Sequence, residues 1–252
     1  MNLDFDLHVH TFHSPCGQAD MLPAEIVRTA AERGITRLGM TDHFYPFTDP
    51  AIFDEIRSAV KDALSVANGS LEVLFGCEVE IMAPGRTAGG PKLAERLDFV
   101  MAGATHFQNA GITELPPDAK DDRAIAEHYL RMFEYAVSLP WVDVVAHPFF
   151  VMPGVCSVEV LDTLSDAELL SGLEMAKENG VAMEISRRVF WPGQIGFSMR
   201  FYRLCRHVEL KFTVGSDAHR LEDVGDVRIL EPVFAELGLT EKDFWLPRSK
   251  TR

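Results

Sequence analysis

A chain of 252 residues with 47% hydrophobic and 25% charged residues has an ordinary globular make-up and can bury a core without disulfides or a structural metal. Its 24 Lys and Arg against 38 Asp and Glu give a formal net charge of −14, a surface that repels phosphate backbones and anionic membranes and argues against nucleic-acid binding as the main role. No run of about eighteen apolar residues suggests a spanning helix, no leader opens the chain, and the four dispersed cysteines (Cys16, Cys77, Cys156, Cys205) form no CxxC pair, so the expectation is a cytoplasmic protein with no membrane partner and no disulfide framework.

Seven short apolar runs, at residues 5–8, 37–41, 73–78, 99–102, 142–146, 182–185 and 212–214, read as buried parallel strands. Helical patterns lie between them. Ile26, Val27, Ala30 and Ala31 share one face, closed by Gly34. Asp49 caps a helix with Pro50 in its first turn, running to about residue 67. Others span residues 122 to about 137, 165 to 179 and 199 to about 207. The second of these starts with Ser165 and Glu168 in capping-box spacing and stops at Gly180. The Gly-rich stretch 85–91 lacks the GK[ST] ending of a P-loop and reads as a plain loop. Alternation of this kind over one uninterrupted domain, residues 1–252, predicts a parallel α/β architecture. A closed or distorted barrel is favoured over an open sheet, because no GxGxxG follows the first strand.

Six of the nine histidines fall at predicted strand ends. His8 and His10 form an HxH pair whose rings face the same way on a strand. Later strands end in Asp42-His43, Glu78, Thr105-His106, His147 and Asp217-Ala218-His219. In a parallel barrel these ends converge on one rim, and a mixture of imidazole and carboxylate suits Zn, Mn or Fe. A lone His after a strand is usually structural. Here the coincidence of so many at strand ends favours a metal cluster. His13, His128 and His207 lie off this pattern.

The segments DLHVHT, MTDH, GCEVE, GATHF, VVAHP and GSDAH, in this order, resemble the polymerase-and-histidinol-phosphatase (PHP) family from residue 6 to residue 220. The resemblance implies a distorted seven-stranded (β/α)7 barrel and a trinuclear metal site in a phosphoesterase. By motif position, His8, His10, Glu78 and Asp217 would hold a first ion. Glu78 would bridge to a second completed by His106 and His147, and His43 and His219 would hold a third. Glu80 would be a supporting or a surface acid. The family's further ligand in the loop after HxH falls here on Cys16, with Asp20 as competitor; the remaining alternative is that neither binds.

The chemistry implied is hydrolysis of a small phosphorylated metabolite, histidinol phosphate being the leading candidate. Ions a few ångströms apart would activate a shared water for in-line attack. Asp42 is a candidate to orient His43 or relay a proton, with a turn role equally open. Arg187, Arg188 and Arg220 are candidates to bind phosphate. The Phe149-Phe150 and Phe190-Trp191 pairs would wall the pocket or simply cover the barrel. Two alternatives remain: an amidohydrolase-type hydrolase of C–N or C–O bonds, disfavoured because Glu78 stands where a bridging Lys would be, and a PHP-type nuclease or accessory module, disfavoured by the charge.

Overall fold

In the computed structural model, described over residues 3–66, 71–109, 111–115 and 120–247, nine strands and seven α-helices alternate along the chain. The strands are β1 (Phe5–Val9), β2 (Arg37–Met40), β3 (His43–Phe44), β4 (Glu72–Ala83), β5 (Arg86–Thr87), β6 (Phe99–Gly103), β7 (Val144–Ala146), β8 (Ala182–Ser186) and β9 (Phe212–Gly215). The helices are α1 (Pro23–Glu32), α2 (Ile52–Val66), α3 (Pro91–Ala94), α4 (Asp122–Ser138), α5 (Asp166–Asn179), α6 (Gln194–His207) and α7 (Glu231–Leu237).

Seven strands pair in parallel in the order β1-β2-β4-β6-β7-β8-β9. The ring closes through a parallel bridge between Val9 and Ala218, where the His10 N–H donates to the Ala218 carbonyl at 3.0 Å. Buried Asp6 reinforces it: its carboxylate accepts the backbone N–H groups of Ser216 and Gly225, each at 2.8 Å, tying β1 to the loop after β9. Leu7, Leu38, Leu74, Val100, Val144, Ile185 and Val214 are fully buried, as expected for strands covered on both faces. Each large aliphatic side chain so removed from water contributes roughly 1.5–3 kcal/mol.

All seven predicted barrel strands are present. Three boundaries differ for physical reasons. β4 continues to Ala83, well past the predicted end at 78, because β3 pairs alongside it and β5 folds back antiparallel onto it. The stretch 85–91, expected to be a plain loop, therefore contains a two-residue strand, and α3 begins at its last residue. α6 starts at Gln194, five residues before the expected start, because the buried Gln194 amide bonds Val151 N, Phe149 O and Ser198 Oγ and so anchors a turn that the preceding Pro192-Gly193 obscures. α2 starts at Ile52, since the Asp49 carboxylate caps Ala51 N in a turn ahead of the helix. The Ser165 capping box and the left-handed Gly180 stop of α5 form as the spacing predicts.

Candidate metal centre

The C-terminal ends of the barrel strands bring the predicted rim residues together. β3 lies in register with β4 so that His43 is beside Glu78. Glu78 is 1% exposed, and five imidazoles surround its carboxylate. His8 Nε2, His10 Nε2 and His43 Nδ1 lie 3.4, 3.7 and 3.0 Å from Oε2. His106 Nε2 and His147 Nε2 lie 3.5 and 3.0 Å from Oε1. Asp217 faces the same space, with Oδ1 3.2 Å from His10 Nε2 and 3.6 Å from His8 Nε2.

The surrounding hydrogen bonds fix which ring nitrogens point inward. His8 Nδ1 lies 2.8 Å from Glu184 Oε1, and His106 Nδ1 lies 2.9 Å from Glu80 Oε2. His219 Nδ1 donates to the Asp217 carbonyl at 2.8 Å. Each of these acceptors demands a proton on Nδ1. His10 reaches the same state through Ser14, whose hydroxyl gives its only proton to Asp42 at 2.6 Å and must accept from His10 Nδ1 at 3.1 Å. In their neutral forms all four rings therefore turn an unprotonated Nε2 away from these partners, the arrangement metal-binding histidines adopt.

The donor set fits divalent cations on two counts. Among the described residues, the buried side-chain polar atoms without a hydrogen-bond partner are His43 Nδ1, both Glu78 oxygens and Thr213 Oγ1, so three of the four belong to this centre. Orphaned buried carboxylate oxygens are costly unless a cation or donor takes them up. Second, four sets of donor atoms each lie within 4.8 Å of one another: His8, Glu78 and His147; His8, His10 and Asp217; His43, Glu78 and His106; and His10, Cys16, His43 and His219.

The electrostatics show the same demand for positive charge. Burial alone would raise Glu78, yet His43, His106 and His8 hold it well below the usual carboxylate range. Asp217 is likewise held low against burial, chiefly by Arg188 and His8. Burial would lower His8, but Glu184, Asp217 and Glu78 raise it well above its ordinary value. Burial depresses His219 to about 4, with His10 adding to the effect. Desolvation of its sulfur, helped by Asp217 and Glu78, pushes the Cys16 thiol up to about 12, although the residue as a whole is exposed.

Backbone strain sits at the same place. His147 and Asp217 adopt φ of 28° and 53°. Such conformations cost about 1–3 kcal/mol each and persist only when their surroundings enforce them. The His147 N–H is held by Glu184 Oε2 at 2.6 Å, and the Asp217 side chain by Arg188 Nε at 2.5 Å. Gly215 leaves room for this packing: a Cβ there would lie 2.2 Å from His8 Cβ and 2.3 Å from Glu184 Oε1.

A cavity of about 390 Å³ opens onto Glu78, His43, His106, His147, Asp217 and His219. A second, of about 560 Å³, adjoins it across Cys16, Arg188, Asp217 and His219 and is walled by Phe190, Trp191 and Ile229.

Residues 6–188 match the PHP domain family, and residues 199–244 match the PHP-associated family. The chain belongs to the PHP family. The second PHP match follows β8 and covers the segment that supplies β9, Asp217 and His219 to the same barrel. A "probable phosphatase" of Syntrophotalea carbinolica is 26% identical over 229 residues, covering 89% of this chain and 83% of that protein. A "probable phosphatase" of Thermoanaerobacter sp. is 26% identical over 248 residues, covering 96% and 89%. Among solved structures, the histidinol phosphate phosphatase of Lactococcus lactis, complexed with zinc, L-histidinol and phosphate, superposes with a TM-score of 0.66 at 17% identity, covering 94% of each chain. The likeness establishes the shared PHP-type (β/α)7 barrel.

Against the sequence-predicted set, His8, His10, His43, Glu78, His106, His147, Asp217, His219 and Cys16 all enter the donor clusters. Asp20 does not: it is exposed and lines neither cavity. Asp42 is also absent from both cavities. Its carboxylate accepts from Thr11 N, Thr11 Oγ1 and Ser14 Oγ and so braces the loop after β1. The arginines separate by position. Arg188 lies over Phe150 and Trp191 and lines both cavities, whereas Arg187 and Arg220 both engage Asp223 in the outer one. His128 donates to the Glu114 carbonyl, away from the cluster. Sequence reasoning missed Glu184 and Ser14. The signal for Glu184 was a charged residue in the middle of the otherwise apolar run AMEIS.

Proposed function

We propose that this chain is a metal-dependent phosphomonoesterase acting on a small phosphorylated metabolite. The observation that carries the reading is the Glu78 carboxylate, buried, without a well-directed hydrogen bond and encircled by imidazoles, at the floor of a cavity whose side carries the Arg188 guanidinium. On this reading His8, His10, Glu78 and Asp217 hold one divalent ion, and Glu78 with His106 and His147 a second. His43 and His219 serve a third position. Zinc, manganese and iron all suit such donors.

Divalent ions there would acidify water and offset the charge of phosphate oxygens. The chain's own groups do the remainder. Glu184, Glu80 and Ser14 keep the ligand rings turned inward. Arg188, aligned by Asp217 and by the Phe150 and Trp191 rings, presents its guanidinium to a phosphate at the mouth of the inner cavity. The outer cavity, with Phe190 and Trp191, receives the organic leaving group. Histidinol phosphate is the leading candidate substrate, supported by the fold shared with the Lactococcus enzyme. Nucleic acid is not expected as a partner, given the −14 charge. None of the helices among the described residues is long and apolar enough to cross a membrane.

The test is metal analysis of the purified protein joined to a phosphate-release screen on histidinol phosphate, sugar phosphates and nucleotides. Metal-dependent release, abolished by a folded His8→Ala, His10→Ala variant, is expected. Hydrolysis of amides or lactones with no action on phosphates would replace this reading with the amidohydrolase-type one.

A further inference from the structure

We propose that Cys16 makes one corner of this centre a soft, thiolate-containing site that selects zinc-like cations over magnesium and manganese. The inference rests on the metal-dependent reading above and adds to it a division of the centre by metal preference. Sγ of Cys16 lies within 4.8 Å of a ring nitrogen of each of His10, His43 and His219, and these four donor atoms lie within the same distance of one another. With His10 Nδ1 held by Ser14 and its Nε2 given to the first ion, Cys16, His43 and His219 supply one sulfur and two imidazoles, three donors of a tetrahedral zinc site whose fourth position stays open. The other donor sets each contain a carboxylate and no sulfur. Thiolate favours zinc, whereas carboxylate oxygen accommodates magnesium and manganese.

The position of Cys16 is built rather than incidental. Asp42 binds Thr11 and Ser14 ahead of it, Gly17 N donates to the Ser14 carbonyl at 2.9 Å, and Gln18 N donates to the His219 carbonyl at 3.0 Å. The loop is thus tied on both sides of Cys16 to the strand ends that carry the three histidines. Gly17 permits this fold, since a Cβ there would meet the Thr11 carbonyl oxygen at 2.2 Å. A second observation points to a ligand: His43 is 9% exposed, and its Nδ1, 3.0 Å from Glu78 Oε2, makes no hydrogen bond. A disulfide is not the use of this sulfur, because all four cysteines are free, with Cys77 and Cys205 buried in the core and Cys156 beside Tyr129.

The experiment uses the full chain, stripped by a chelator and reloaded with Co(II). A sulfur-to-cobalt charge-transfer band in the near ultraviolet is expected in the native protein and absent from Cys16→Ser. In competition, one bound zinc per chain should resist excess manganese, and Cys16→Asp should lower that preference about 10-fold or more. Iodoacetamide labelling of Cys16 in the native protein, driven by excess reagent at alkaline pH and read by peptide mass so that Cys156 is counted separately, should be blocked by zinc and not by magnesium. This arm holds even if the variants fail to fold. Identical cobalt spectra and metal preference in native and variant chains, or labelling indifferent to zinc, overturns the proposal. If metal-dependent phosphate release persists alongside such a result, the phosphoesterase reading stands and the soft site alone is lost. A native chain that binds no ion and releases no phosphate removes both.

Discussion

Glu184 and His8 are joined across the barrel interior: Glu184 Oε1 lies 2.8 Å from His8 Nδ1, and both residues are fully buried. The other oxygen of the same carboxylate accepts the backbone N–H of strained His147. One side chain on β8 therefore orients a ring on β1 and fixes the loop after β7. Replacing Glu184 with Gln keeps the volume and removes the charge. Metal affinity is expected to fall about 10–100-fold, the usual cost of losing a carboxylate behind a ligand histidine. Titration of the chelator-stripped protein with zinc measures it, and an unchanged affinity would show that Glu184 only packs.

Removing Glu78 tests the centre itself. A Glu78→Gln substitution leaves the size of the side chain and takes away the charge that five imidazoles face. Bound metal should drop by at least one ion per chain, and phosphate release should fall at least about 10³-fold. Retention of full metal content would mean that the ions, if bound, sit elsewhere.

Acidity should govern the interplay of metal and stability. Burial would lower His106, but Glu80 and Glu78 raise it to about 9 from an ordinary 6.5. Its folded value therefore exceeds its unfolded one. In metal-free protein the proton contributes stability that is complete below pH 6.5 and lost as pH rises through about 9. A cation replaces that proton, so binding strengthens over the same window. The rise in Tm on adding zinc should accordingly grow from pH 6.5 to 9, measured by thermal scans with and without zinc. A flat or shrinking increment contradicts the assignment of His106 as a ligand.

The three arginines are predicted to differ. Arg188→Ala should reduce kcat/KM about 10²–10³-fold, the range for losing one donor to developing charge. Arg188→Lys should recover little of it, since the bidentate fork and the stacking on Phe150 and Trp191 are lost. Arg187→Ala breaks an ion pair with Asp223 in the outer cavity and should cost less than about 10-fold. Equal losses in the two alanine variants would remove the distinction.

Much of the architecture was readable from local pattern. Buried parallel strands appear as short apolar runs, and a polar residue that follows such a run inherits its place at the rim. His8, His43, His106, His147 and Asp217 were visible for this reason. Glu184 escaped because its partners are 176 and 37 residues away and no local rule marks a buried acid as a support. The extension of β4 escaped because it depends on β3 and β5 pairing with it, which no single window contains.

The choice between Cys16 and Asp20, only four positions apart, could not be made from spacing. The loop ties through Asp42, Ser14 and His219 bring the sulfur of Cys16, itself an exposed residue, close to His10, His43 and His219, and Asp20 joins no such group of donors among the described residues. Residue type and strand position alone determined that imidazoles and carboxylates would share one end of a barrel. Which nitrogen each ring turns inward, which arginine lines both cavities and which acids hold the rings were decided by contacts between distant strands, because hydrogen-bond direction and charge pairing are set by tertiary neighbours.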